Sequence, residues 1–88
     1  MKLILTIIGD NDNEPVSRSL IEAGFRVTRM ASTGGMLRRG YTTLMIGVQN
    51  DMVDQAIAII DKSTSPPAEP GGKRATLFIL PVDNFTQI

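Results

Sequence analysis

The sequence predicts an α+β domain in which strands and helices follow the order β-α-β-β-α-β. Three observations lead to this prediction: four segments rich in β-branched and aliphatic residues, two segments with helical spacing of apolar residues, and glycine- or proline-rich stretches between them. A chain of 88 residues is long enough for one domain and too short for a second hydrophobic core. We therefore expect residues 1–88 to form a single domain.

The first strand is predicted over residues 2–9, and the first helix follows an acidic turn. The strand carries apolar residues on both alternating faces, a pattern typical of a strand covered on both sides. Asp12 or Asn13 is expected to cap the helix, with Pro15 in its first turn. Gly24 is expected to end the helix in the left-handed conformation. The helix should bury an apolar stripe formed by Val16, Leu20, Ile21 and Ala23.

Two further strands and a second helix are predicted in the middle of the chain. Residues 25–31 alternate between apolar and polar types, and residues 42–48 are rich in β-branched and aliphatic types. Asn50 or Asp51 is expected to cap the second helix, and Asp54 to support its amino end. The apolar stripe of this helix is predicted to be Met52, Val53, Ala56, Ile57 and Ile60.

The last part of the chain is predicted to be a loop followed by a strand. Residues 63–73 include three prolines and two glycines and are expected to form a mobile loop. Residues 75–82 read as the fourth strand, with Pro81 near its end. Right-handed crossovers then place both helices on one face of a four-stranded antiparallel sheet, the ferredoxin-like arrangement.

This arrangement leaves the other face of the sheet without a covering element. We expect it to carry large apolar side chains, either Ile4, Ile8, Phe78 and Leu80 or the residues that alternate with them. Burying such a face against sister subunits stabilises a small domain by roughly 25 cal/mol per Å². The sequence therefore predicts a homo-oligomer in which the open faces point inward.

Histidine and cysteine are absent, and this bears on catalysis, metal binding and location. The usual general base and thiol nucleophile are missing, so we expect no enzymatic activity, no catalytic residue and no metal site. Asp10, Asp12 and Glu14 lack the glycine and final glutamate of a calcium loop, where Pro15 and Ile21 stand instead. A chain without cysteine fits a reducing cytoplasm, and no apolar stretch is long enough to cross a membrane.

An anion site is the functional feature that the residues themselves predict. Net charge is zero, yet four arginines and no acidic residue occur between Glu22 and Asp51. Two consecutive glycines, Gly34 and Gly35, allow backbone amides to turn towards an anion. Arginines form charge-assisted hydrogen bonds to phosphate. The other candidate groups are Arg26, Arg38 and Arg39, the hydroxyls of Thr28 and Thr33, and the apolar surface of Met36 and Leu37.

RNA binding is the main alternative that the topology raises. RNA-recognition domains of this topology stack bases on aromatic residues of the first and third strands. Arg39, Gly40 and Tyr41 imitate the start of their third-strand motif, but Thr43 replaces the second aromatic residue and the first strand has none. A single stacking ring and a net charge of zero argue against a nucleic-acid partner.

The stretch from Phe25 to Leu44, FRVTRMASTGGMLRRGYTTL, resembles the FRATKLATTGGFLRxGNTTF pattern of the PII-like cyclic di-AMP receptor family. The opening MKLI and the ending LPVDNFTQ are also similar to this family. The resemblance implies a non-enzymatic signalling protein, a ferredoxin-like subunit of a homotrimer with a nucleotide site at each subunit interface. It also implies that Arg26 and Thr28 contact adenine and nearby ligand atoms, that Leu37 and Gly47 line the pocket, and that Gln87 closes it. Gly34 and Gly35 then lie by the phosphates.

Four features depart from the family pattern. Gly24 stands where an asparagine is usual, Met36 replaces a phenylalanine, and Tyr41 replaces a second asparagine. The loop at 63–73 is much shorter than in the family. The leading hypothesis is a trimer that binds cyclic di-AMP; the alternatives are another adenine nucleotide or phosphate ligand at the same arginines, or a ligand-free module that contacts an unknown downstream protein through residues 63–73.

Overall fold

The order of the sheet follows from the pairing of its strands. The computed structural model describes residues 1–30, 40–67 and 71–88. It contains β1 (Lys2–Gly9), α1 (Asn13–Glu22), β2 (Arg26–Met30), β3 (Tyr41–Val48), α2 (Val53–Ser63) and β4 (Ala75–Pro81), with 3₁₀ turns at Asp10–Asp12 and Asn50–Met52. The strands pair antiparallel in the order β2-β3-β1-β4. The ferredoxin-like α+β prediction is confirmed.

Both helices pack on one face of the sheet, and the hydrophobic core lies between them and that face. On β1, Ile4 and Ile8 are fully buried, as are Val16 on α1 and Leu44 and Ile46 on β3. Among the described residues, the core cluster is Ile4, Ile8, Val16, Leu20, Phe25, Leu44, Ile46, Val48, Ala56 and Ile60. We call this the helix face of the sheet and the opposite side the open face.

The strand register decides which apolar residues lie on the open face. Of the first predicted set, Phe78 and Leu80 do lie there. Ile4 and Ile8 lie on the helix face instead, so their assignment to the open face is wrong. Leu5 pairs with Phe78 and with Met45, and Leu3 pairs with Leu80. Partners in an antiparallel pair share a face. The apolar residues of the open face therefore include Leu3, Leu5, Ile7, Met30, Met45, Phe78 and Leu80.

Two local predictions about α1 have different outcomes. Gly24 has φ of 93°, and the Phe25 amide donates to the Leu20 carbonyl at 3.0 Å, so the predicted glycine stop is confirmed. Ile21, in contrast, is 58 % exposed and Ala23 is also exposed. Their predicted burial is wrong, because only Val16 and Leu20 of this helix point into the core.

The predicted side-chain caps of both helices are also absent. Asp12 occupies the N-cap position of α1 and Met52 that of α2, and neither makes a side-chain capping hydrogen bond. A 3₁₀ turn precedes each helix, so the chain enters the helix already turned. Asp54 does lie in the first turn of α2, as predicted. The side chain of Asp12 has a different role, described below.

Candidate functional site

Arg26, Thr28 and Gly47 lie on the open face where β2 pairs with β3. Arg26 is the register partner of Gly47, and Thr28 is the partner of Met45. Side chains alternate along a strand, so the neighbouring Arg29 points to the helix face instead. Three of the predicted binding residues are thus brought together, and Met45 joins them as a residue that the sequence analysis missed.

Gly47 is a point of close approach between the strand and the amino terminus. A Cβ atom at this position would lie 3.0 Å from Cε of Met1. The Met1 carbonyl accepts a hydrogen bond from the Val82 amide at 3.0 Å, which holds its backbone, whereas Cε is the far end of its flexible side chain. A side chain added at Gly47 would therefore push the Met1 side chain slightly aside.

Tyr41 lies at the opposite end of the same face. It pairs with Gly9, whereas Gly47 pairs with Leu3. Tyr41 and Gly47 are six steps apart along the extended strand, a distance of about 20 Å. The ring is 42 % exposed, and the preceding Gly40 has φ of 86°, which favours glycine at this turn. The structure therefore does not bring Tyr41 together with Arg26 within one chain.

Seven predicted site residues lie outside the described residues: Thr33, Gly34, Gly35, Met36, Leu37, Arg38 and Arg39. The segment that contains them joins Met30 to Gly40. Met30 pairs with Thr43, so both ends of this connection are at the Tyr41 end of the sheet. Gln87 is exposed in the tail beyond β4 and makes no hydrogen bond among the described residues; only the last residue of β4, Pro81, is placed by its pairing with Lys2 at the Arg26 end of the sheet.

The 3₁₀ turn Asp10–Asp12 links two connecting segments at the Tyr41 end. The Asp10 amide donates to the Gly40 carbonyl at 2.9 Å, and the Thr42 hydroxyl donates to the Asp10 carboxylate. Asp12 is 6 % exposed, and its Oδ1 accepts from the Ser65 amide at 3.0 Å and from the Ser65 hydroxyl at 2.6 Å. The acidic turn therefore anchors residue 40 and the start of the proline-rich loop.

The other end of that loop is anchored to α2. The Arg74 guanidinium forms an ion pair with the Asp61 carboxylate and donates to the Asp61 carbonyl at 2.9 Å. It also approaches the Thr64 hydroxyl at 3.3 Å. The predicted loop starts one residue later than expected, since Ser63 still belongs to α2. The mobility of this loop stays a prediction, and residues 68–70 of the loop lie outside the described residues.

Metal-ligand clusters and membrane-spanning helices are both absent from the described parts of the chain. Within residues 1–30, 40–67 and 71–88, no cluster of three or more acidic, histidine or cysteine residues could hold a metal ion. Among the helices described, none is long and apolar enough to cross a membrane.

The fold and this face together define a class: a small ferredoxin-like domain with a cationic and hydroxyl-bearing open sheet face. Comparison with known proteins names the family. The family described as "Cyclic-di-AMP receptor" matches residues 1–69, and the chain belongs to this family. Membership places it among receptors, which bind a ligand, and confirms the resemblance found in the sequence. The match ends before β4 and Gln87, so it does not bear on the similarity of the chain's ending.

A solved structure has the same fold over nearly the whole length. The chain is similar to "a functionally unknown protein from Pediococcus pentosaceus ATCC 25745", with 33 % sequence identity and a TM-score of 0.76. The similarity covers 99 % of this chain and 96 % of that protein. It supports the ferredoxin-like assignment for β4 as well as for the segment that the family match covers.

Proposed function

We propose that the protein is a signalling receptor that binds cyclic di-AMP between the subunits of a homotrimer and catalyses no reaction. One observation carries this proposal: in a chain of the cyclic-di-AMP receptor family, Arg26, Thr28 and Gly47 lie side by side on one exposed sheet face. An arginine and a hydroxyl suit the phosphate and base edges of a nucleotide.

The open face supports assembly into an oligomer. Phe78 is 51 % exposed and Leu80 is 43 % exposed, and both continue the apolar surface of Leu3 and Leu5. A monomer with such a face is prone to association. A site between subunits also accounts for the separation of Tyr41 from Arg26, because one ligand contacting both ends must extend along the strand or be shared by two subunits.

The roles of individual residues follow the family resemblance. Arg26 and Thr28 contact an adenine and nearby atoms, and Gly47 offers its backbone. Residues of the central segment complete the site, with Gly34 and Gly35 by the phosphates, and Gln87 approaches from the tail. The further members proposed for the site are Thr33, Met36, Leu37, Arg38 and Tyr41.

Isothermal titration with cyclic di-AMP, with cyclic di-GMP as a specificity control, tests the proposal. Arg26→Ala should weaken binding roughly tenfold or more, since a hydrogen bond to a charged group contributes about 1.5–3 kcal/mol. Arg29→Ala is the matched control, because it removes the same charge from the same strand on the helix face. Equal affinity in the two variants, or no heat from the wild type, would refute cyclic di-AMP binding at this face.

A second candidate ligand is another adenine nucleotide, and Tyr41 is the observation that favours it. Tyr41 replaces an asparagine amide, which can read an adenine edge, with a ring that stacks, so this position is less tied to the second adenine of cyclic di-AMP. ATP in the same titration distinguishes the two.

The unknown downstream protein is proposed to contact the loop at 63–73. The cytoplasmic location stays a prediction from the lack of cysteine.

A further inference from the structure

Two methionine side chains lie beside Arg26 and Thr28 on the open face. Met45 is the register partner of Thr28. Met1 reaches the same face from the start of the chain, because its Cε lies 3.0 Å from the position of a Cβ atom added to Gly47, the register partner of Arg26. Two polar side chains on β2 therefore have two thioethers next to them over β3.

The two thioethers form one apolar strip of the size of a nucleotide base. Met45 and Gly47 are two residues apart on the same face of β3, so their positions are separated by about 7 Å. Directly opposite partners on neighbouring strands have Cβ atoms about 5 Å apart. A fused two-ring base lying on this strip covers both thioethers and directs its polar edge at Arg26 and Thr28.

Both methionines have the exposure and the flexibility that a base-binding surface needs. Met1 is 37 % exposed, and Met45 is half-buried. Methionine is unbranched and carries a polarizable sulfur, so it adapts to an aromatic ring and makes favourable sulfur–aromatic contacts. The Met1 backbone is held by the Val82 amide, whereas its side chain can follow the ligand. Gly47, which has no side chain, leaves the room for it.

We propose that Met1 and Met45 form the surface on which one purine base of the bound nucleotide lies, while Arg26 and Thr28 bind its polar edge and neighbouring atoms. This inference rests on the proposed function and adds two ligand contacts that the family resemblance does not assign. The thioethers position the base without discriminating between bases, since every base presents a ring face. Discrimination is left to the polar side chains of β2.

Methyl resonances of methionine report on this surface directly. The chain has five methionines, at positions 1, 30, 36, 45 and 52. Protein labelled with carbon-13 at the methionine methyl groups is titrated with cyclic di-AMP, and the heat of binding is measured on the same sample. Leucine variants at the last four positions assign their resonances and leave the remaining one to Met1. The methyl protons of Met1 and Met45 should shift upfield, as the ring current above a base requires, with the same midpoint as the heat. Met52 packs against the core on the helix side and should not shift.

Substitution of Met45 gives the second measurement. Met45→Ala should weaken binding of cyclic di-AMP about fivefold, which corresponds to about 1 kcal/mol, because part of the apolar contact is lost. Met45→Leu should stay within about threefold of the wild type, because leucine keeps the volume and the apolar character. Met52→Ala is the matched control, since it removes the same side chain from the helix side and should leave the affinity unchanged. Sedimentation shows whether each variant assembles as the wild type does.

The outcomes separate this inference from the proposed function. Heat of binding that Arg26→Ala weakens, together with a Met1 or Met45 resonance that shifts no more than that of Met52, overturns the methionine surface and leaves the receptor function standing. Equal affinity in Met45→Ala and Met52→Ala does the same. If Met45→Ala no longer assembles, the methyl shifts of the wild type decide. Absence of heat with cyclic di-AMP, cyclic di-GMP and ATP overturns both.

Discussion

Substitution of Phe78 by aspartate tests whether the open face is an interface between subunits. Phe78 lies on β4 opposite Leu5, and 51 % of its accessible surface remains exposed in the single chain. No helix of the described chain covers this side of the sheet. If sister subunits cover it, a charge at this position must be buried on assembly, which is strongly unfavourable.

The size of the effect follows from the area that stays exposed. A phenylalanine buries 150–250 Å² when fully covered, so about 100 Å² is left for the interface. At roughly 25 cal/mol per Å², this area contributes about 2.5 kcal/mol per subunit to assembly, or a factor of about 60 in the association constant. Phe78→Asp loses this contribution and adds the cost of burying a carboxylate. The variant should therefore be monomeric at concentrations where the wild type is assembled.

Sedimentation equilibrium over a series of protein concentrations measures this change. Ile21→Asp is the matched control, since Ile21 is 58 % exposed on α1, on the other side of the molecule from the open face. The control should assemble as the wild type does. A wild type that stays monomeric throughout, or a Phe78→Asp variant that assembles with unchanged affinity, would refute the assignment of the open face as the interface.

Three further substitutions test local features by their effect on the free energy of unfolding. Thr6→Val should raise it by about 1 kcal/mol, because the fully buried Thr6 hydroxyl has no hydrogen-bond partner in the described structure; an unchanged melting temperature would contradict this. Gly24→Ala should lower the free energy of unfolding by about 1–2 kcal/mol, because the backbone φ of 93° is unfavourable for alanine even though no atom lies within 4 Å of the added methyl group. Urea denaturation measures the loss, and a stabilised variant would contradict the backbone strain. Asp12→Ala should lower it by about 1–2 kcal/mol and speed amide exchange at Ser65, with Asp12→Asn, which keeps an acceptor, closer to wild type; equal exchange in all three proteins would count against the anchor.

The strands were predictable because their signal is local. The first strand was predicted over 2–9 and is Lys2–Gly9, and the last was predicted over 75–82 and is Ala75–Pro81. In each case β-branched and aliphatic residues fill the strand, and a glycine, proline or polar turn follows it. Such patterns determine where an element lies without information about its neighbours.

The face of β1 that enters the core could not be predicted in the same way. Leu3, Leu5 and Ile7 are as apolar as Ile4 and Ile8, so the alternation along this strand does not indicate which set faces the core. The choice depends on the registers with β3 and β4 and on where the helices pack. It is therefore a property of the assembled sheet and not of the segment.

Asp12 shows the same limit for polar residues. An aspartate before a helix usually serves as its cap, and this favoured the predicted role. Its actual partner is Ser65, 53 residues away along the chain, which no local pattern connects to it. A serine at the start of a proline-rich loop gives no signal of its own, so this contact appears only when the fold brings the two segments together.

Tyr41 and Arg26 illustrate how strand geometry changes the interpretation of a motif. They lie within one continuous stretch of the sequence that resembles the family pattern, which suggests a single compact pocket. In the sheet, β2 and β3 run antiparallel, and Arg26 pairs with Gly47 while Tyr41 pairs with Gly9 at the opposite end. A ligand held by both residues must therefore span the length of β3 or lie between two chains. This is why loss of the open-face interface and loss of nucleotide affinity should occur together in Phe78→Asp, although Phe78 is not itself among the proposed ligand contacts.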